Sequence, residues 1–173
     1  AISDISNGNI QVTNNEMNER HHGDNANPVV HRVTAGGNDI CEALGLEPGC
    51  DGNFSLIAIE KADGTIMGQW QDTFAGGGNS FHVDVDCLAI SEDGISAFVS
   101  GYVKNGRING VDYTDYYTVI KLWDNGTSNN DDPDQISFSF FANPATDCSV
   151  YFDPSYDLFF VPYDLLKGQV KIK

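Results

Sequence analysis

The sequence predicts an all-β domain, an antiparallel β-barrel or β-sandwich of jelly-roll-like form, with one short helical turn and two disulfides. Three observations predict it. Short runs of alternating apolar and polar residues recur along the chain, the period-2 pattern of half-buried strands. Between them lie clusters of Gly, Asn and Asp, and the chain holds 18 Gly in 173 residues, which supplies many tight turns. The four cysteines, at 41, 50, 87 and 148, are even in number and contain no Cys-x-x-Cys pair, so they suit disulfides better than a zinc ribbon.

The elements follow in order. Residues 1–40 form a polar, Asn-rich arm with a first strand around Asn9–Thr13 and another at Pro28–Val33. The apolar-poor stretch Asn14–Asn27 between them is long for a structureless loop, so it is functional, tied to a partner or mobile. The single domain then runs over 41–173. Asp39–Leu46 is the helical turn, with Asp39 as its cap. Phe54–Glu60 alternates and runs into Lys-Ala-Asp-Gly, a hairpin signal. Thr65–Phe74 returns, and Gly76-Gly77-Gly78 breaks it. In Phe81–Ile90, Phe81, Val83, Val85 and Cys87 alternate with His82, Asp84, Asp86 and Leu88, which places Cys87 inward. Ser-Glu-Asp-Gly turns the chain into Ile95–Val103. Strands follow at Tyr116–Trp123, Ile136–Phe141, Asp147–Phe152, Leu158–Val161 and Gln169–Ile172. Strands at this spacing mean a sandwich or barrel.

Nine Lys plus Arg face 25 Asp plus Glu, a formal charge of −16. Such a surface repels phosphate backbones and anionic membranes, so no nucleic-acid partner is expected. No run of about 18 apolar residues marks a membrane span. The acidic composition, the cysteines and the start at Ala-Ile-Ser, as after removal of a signal peptide, point to a secreted protein. Four cysteines allow three connectivities. Cys41–Cys50 closes a compact loop with a Pro-Gly turn, which leaves Cys87–Cys148 to tie two distant strands together.

Four segments carry a family likeness: Phe54 to Trp70 with Ala-Asp-Gly and Gly-Gln-Trp; His82-Val-Asp-Val-Asp-Cys-Leu-Ala-Ile with Ala97-Phe-Val-Ser-Gly-Tyr-Val; Leu122-Trp-Asp-Asn-Gly with Asp134-Gln-Ile-Ser-Phe; and Cys148 with Gly168-Gln-Val-Lys-Ile. Over about residues 53–173 the chain resembles secreted bacterial β-domain proteins of unassigned function. The resemblance implies the Cys87–Cys148 pairing and an antiparallel barrel or sandwich, and it implies no activity.

Three clusters are candidate sites. The loop Asp124-Asn-Gly-Thr-Ser-Asn-Asn-Asp-Asp-Pro-Asp offers Asp124, Asp131, Asp132 and Asp134 to calcium, which takes six to eight oxygens; its spacing is not that of an EF-hand. His82, Asp84 and Asp86 share a strand face and are a candidate metal or acid/base set, or simply the solvent side of that strand. His21 and His22, with His31, Glu16, Glu19 and Asp24, are candidate zinc or copper ligands in a surface loop. Asn53-Phe-Ser and Asn125-Gly-Thr are sequons. No Gly-x-Ser-x-Gly elbow is present, and with both disulfides formed no free thiol remains for nucleophilic catalysis. Phe140-Phe141 and Phe159-Phe160 put rings on both faces of their segments, so one face is exposed or meets another subunit.

The expected function is a non-enzymatic secreted module with a structural or interaction role. It would self-associate through the N-terminal arm as a fibre or matrix subunit. The first alternative is a module binding a glycan or small apolar ligand, with calcium as a structural helper and a cavity lined by Trp70 or Trp123. The second is an enzyme using a metal or carboxylates.

Overall fold

A computed structural model describes residues 27–38, 53–74, 79–126, 130–144, 147–165 and 167–173. The strands expected at Asn9–Thr13, the helical turn at Asp39–Leu46, Cys41, Cys50, His21 and His22 lie outside these residues.

The described chain is all-β and antiparallel. Its strands are β1 (Val29–Asn38), β2 (Asn53–Lys61), β3 (Ile66–Phe74), β4 (Asn79–Ile90), β5 (Ser96–Ile108), β6 (Val111–Asp112), β7 (Tyr117–Trp123), β8 (Gln135–Ile136), β9 (Phe140–Phe141), β10 (Tyr163–Asp164) and β11 (Gly168–Ile172). They form one sheet in the order β10-β8-β7-β5-β4-β3-β2-β1-β11, with β6 on β5 and β9 on β7. This is a meander curled into a half-barrel, so the expected jelly-roll order is corrected. Local turn chemistry accounts for it. Asp63 accepts the Thr65 N–H and Asp93 the Ile95 N–H, and Gly64 and Gly94 take positive φ, so consecutive strands fold back as hairpins. Asn109-Gly110, both at positive φ, make the tight two-residue turn between β5 and β6.

The concave side holds the main core, where Val33, Trp70, Val83, Val99, Leu122 and Val170 are fully buried. Curling brings strands close: a Cβ at Gly101 would strike the Asp84 carbonyl oxygen, so only glycine fits there. A second core lies on the convex side of β4, β5 and β7, around Phe98. Its cover is not the two strands expected at Asp147–Phe152 and Leu158–Val161. It is a pair of 3-10 turns, Cys148–Phe152 and Pro154–Tyr156, followed by a hydrogen-bonded turn through Phe160. Asp147 and Asp153 cap these turns by accepting the Ser149 and Ser155 N–H groups, and local capping of this kind competes with strand pairing. The expected strand Ile136–Phe141 is likewise interrupted: Ser137 Oγ accepts the Lys121 N–H and splits it into β8 and β9.

Among the described residues there is one disulfide, Cys87–Cys148, with Cα atoms 6.0 Å apart. Cys87 points outward, contrary to the simple alternation. In the β4–β5 register, Val85 faces Gly101 and Cys87 faces Ser100, so Asp86 is an extra, bulged residue. A bulge reverses the in-out parity beyond it. Val85 and Leu88 therefore join the concave core, while Cys87 and Ala89 join the convex one.

The two ends of the curled sheet meet through side chains. The Lys173–Arg32 backbone bonds orient the N–H groups of Val170 and Ile172 away from β1. Val170 N–H donates to Asp134 Oδ2 at 2.7 Å and Ile172 N–H to Asp124 Oδ2 at 2.9 Å. Two carboxylates thus take the place of a neighbouring strand along β11.

Candidate functional site: an aromatic groove

The Cys87–Cys148 link pins the first 3-10 turn over β4 and β5, away from the end of β7 that carries β9. There a groove of about 210 Å³ opens between Val119, the β9 segment Phe140, Phe141 and Ala142, and the cover residues Tyr151, Tyr156, Phe159 and Phe160. Tyr151 and Phe160 are buried and anchor its floor, while Phe141 and Phe159 are 43% and 56% exposed at its rim. The rings meet at steep angles. Phe140 and Phe160 stand 5.5 Å apart at 83°, and Tyr151 and Tyr156 5.2 Å apart at 79°. Next to the rim, Tyr113 stacks on Phe141 at 4.6 Å, with Tyr116 edge-on to both. Leu158, Val161 and Val150 add exposed aliphatic surface along the cover segment.

Two polar features flank the groove. Lys121 lays its Nζ over the rings of Phe98 and Trp123, each 5.0 Å from the centroid, and of Phe152 at 5.6 Å. Burial lowers its ammonium pKa, and Asp157 partly offsets this. At the β4 bulge, Tyr117 Oη contacts Ser100 Oγ at 2.8 Å and donates to Asp86 Oδ1 at 3.2 Å. Burial pushes the Tyr117 phenol up to about 12, with the Asp86 charge adding to the effect. Burial likewise raises the Asp86 carboxyl, against the lowering effect of the Tyr117 bond. A phenol so hard to ionise acts as a hydrogen-bond donor, and this trio holds the bulge in shape.

The remaining candidates lie apart from the groove. Asp134, buried, accepts the Asn125 N–H at Oδ1 and the Val170 N–H at Oδ2. Asp124 accepts from Gly126 and Ile172. Asp131 packs its carboxylate beside Gly126, and Asp132 is exposed. Among the described residues no three or more His, Cys, Asp or Glu side chains converge as a metal group. His82 and Asp84 stay on the convex face while Asp86 leaves their row for the bulge. His31 Nδ1 pairs with Glu60 at 2.8 Å on the surface. Asn125 donates to Pro133 O and Gln135 Oε1, which ties up the nitrogen its sequon would offer. Trp70 is sealed in the concave core against Phe81, and Trp123 packs on Lys121, so neither lines the groove. No helix among the described residues is long and apolar enough to cross a membrane.

The doubled aromatics Phe140-Phe141 and Phe159-Phe160 were the legible signal for this surface. Of the partner walls, Tyr151 lies in a segment that reads as strand and Tyr156 between two such segments, and neither gave a sign of the groove. No family model, curated protein or solved structure matches the chain.

Proposed function

We propose that the chain is a non-enzymatic secreted interaction module whose working surface is the aromatic groove on its convex side. The observation that carries this reading is the exposed ring cluster of Phe141, Phe159 and Tyr116 around a concave apolar floor. Buried apolar pockets with few polar groups bind compact apolar ligands. At about 210 Å³ the groove takes one compact group, below the roughly 300–1,000 Å³ of pockets for drug-sized ligands. The disulfide is compatible with an oxidising, extracellular setting. The test is amide chemical-shift mapping with a neutral apolar probe, 3,3-dimethylbutan-1-ol. Shifts confined to residues 140–142 and 151–160 support the reading; shifts scattered over the surface, or none, overturn it.

A second reading, self-association into a fibre or matrix, draws on β9. That strand pairs with β7 alone among the described strands, and an open edge beside exposed rings invites an added strand. Light scattering of the full chain and of a version lacking residues 1–27 tests it. Assemblies that vanish on truncation support an assembly arm, and two monomers dismiss it. A structural calcium at the Asp124–Asp134 loop is a companion proposal. A melting temperature that rises with added calcium and falls with EDTA supports it, and an unchanged melt removes it.

A further inference from the structure

We infer that the groove is a site for a quaternary ammonium headgroup carried on a small molecule. The inference rests on the groove reading above and names the ligand.

Six of the lining residues are aromatic: Phe140, Phe141, Tyr151, Tyr156, Phe159 and Phe160. Phe140, Tyr151, Tyr156, Phe159 and Phe160 meet at steep angles, while Phe141 stacks on Tyr113 at the rim. Ring faces carry partial negative charge and attract a cation within about 6 Å of the centroid. The surroundings favour the same sign. Residues 108–120 and 136–161, which supply the groove and its rim, contain Asp112, Asp115, Asp147, Asp153 and Asp157 and no Lys, Arg or His, and Lys121, the cation that flanks the groove, is held over Phe98, Trp123 and Phe152. An anion is disfavoured there, and a cation gains from both the rings and the rim.

The same convex face already holds one ammonium in this manner. Lys121 Nζ sits over Phe98, Trp123 and Phe152. Phe98 in turn lies 5.7 Å from Tyr151 and 4.9 Å from Phe160, two rings of the groove floor. The groove therefore continues a surface on which the chain seats its own cation.

Hydrogen bonding selects the kind of cation. The side chains lining the groove bring only the two hydroxyls of Tyr151 and Tyr156 as polar groups. A primary ammonium entering it would leave N–H donors without acceptors, at a desolvation cost. Burial's lowering of the Lys121 pKa shows that cost on the adjacent cage. A trimethylammonium group has no N–H to strand, presents methyl groups to the rings and keeps its charge at every pH.

The experiment titrates the full chain with choline, with its neutral carbon isostere 3,3-dimethylbutan-1-ol, and with ethanolamine, following amide shifts. Choline is expected to shift residues 140–142 and 151–160 and to bind at least about tenfold tighter than either comparison compound. Tyr156→Leu and Phe159→Leu, each checked by its melt, should each weaken choline about three- to tenfold and leave the isostere unchanged. Phe159 is exposed, so its variant keeps the test valid if Tyr156→Leu misfolds. Equal binding of choline and isostere overturns the ammonium inference while the apolar-groove function stands. Tighter binding of ethanolamine than of choline overturns it as well. Silence from every probe overturns both.

Discussion

At the scale of single residues, Asp134 is a buried carboxylate that ties two distant parts of the chain together. Its two oxygens satisfy N–H groups on Asn125 and Val170, which belong to opposite ends of the sheet. Charge-assisted bonds to buried amides are the strong kind, and removing the acceptor leaves the donors unsatisfied. Asp134→Ala should therefore cost about 2–4 kcal/mol in urea unfolding, whereas exposed Asp132→Ala should change stability by less than about 0.5 kcal/mol. Similar losses for both would refute the seam. Sequence alone shows an Asp-rich loop and points to a cation, because it cannot show that β11 arrives to offer N–H donors to two of those carboxylates. Tyr117 gives a second prediction. Its folded pKa, about 12, exceeds the ordinary value of 10.0. The protonated form is favoured by folding, so its contribution is complete below pH 10 and is lost as pH rises through 12. The loss, discounted for solvent screening, is on the order of 1–2 kcal/mol. It should be missing in Tyr117→Phe, as read by unfolding at pH 9 and 11.5.

At the scale of elements, β4 shows how one residue rearranges a strand. The alternation from Phe81 to Val85 was legible and places these residues in the concave core. Beyond Asp86 the parity reverses, because the strand must serve a second core on its other face. No local pattern announces a bulge whose purpose is to meet Cys148, 61 positions away. Deleting Asp86 should leave Val85 opposite Gly101 and Cys87 opposite Ser100 as consecutive residues of a regular strand, so Cys87 still faces Cys148 and the bond forms. Thiol titration of the unfolded, unreduced protein is expected to find the same number of free thiols as in the parent, and two more would show that the bond depends on Asp86 itself. Replacing Cys87 and Cys148 by Ala should lower stability by about 4 kcal/mol in the chain-entropy account of a 61-residue separation. The hairpins, by contrast, were readable from their turns, since Ala-Asp-Gly and Glu-Asp-Gly fix both position and conformation. The cover segment 148–160 was not, because its apolar density resembles a strand while its Asp-initiated caps, Asp147 and Asp153, set short 3-10 turns.

At the scale of the whole molecule, charge and topology combine. Asp63, Asp112, Asp147 and Asp153 have pKa values lowered by hydrogen bonds from the residue two positions on, and Asp93 has its own lowered first by the Ser91 hydroxyl and then by the Ile95 N–H. A lowered carboxyl contributes stability that is present above the unfolded value and lost as pH falls through the folded one. Asp86, raised by burial, has the opposite sign. With five groups against one, the melting temperature should fall as pH drops from 4 toward 2. A flat melt across that range would mean that the turns contribute nothing. The all-β class and meander hairpins were legible because each is local. The single sheet and the far wall of the groove were not, because they depend on β11 returning to β1 and on the cover segment lying across the sheet.

The seam also decides how the molecule would yield under tension. Val29 and Lys173 lie near the same end of the β1–β11 ladder. A load applied between them would peel the ladder one hydrogen-bonded pair at a time instead of shearing it along its length. The Ile172–Asp124 bond would take the strain first and the Val170–Asp134 bond next. Pulled from those handles the half-barrel is a soft mechanical element that opens from one rim. The disulfide-clamped layer around Phe98, lying outside the path of the force, would stay shut.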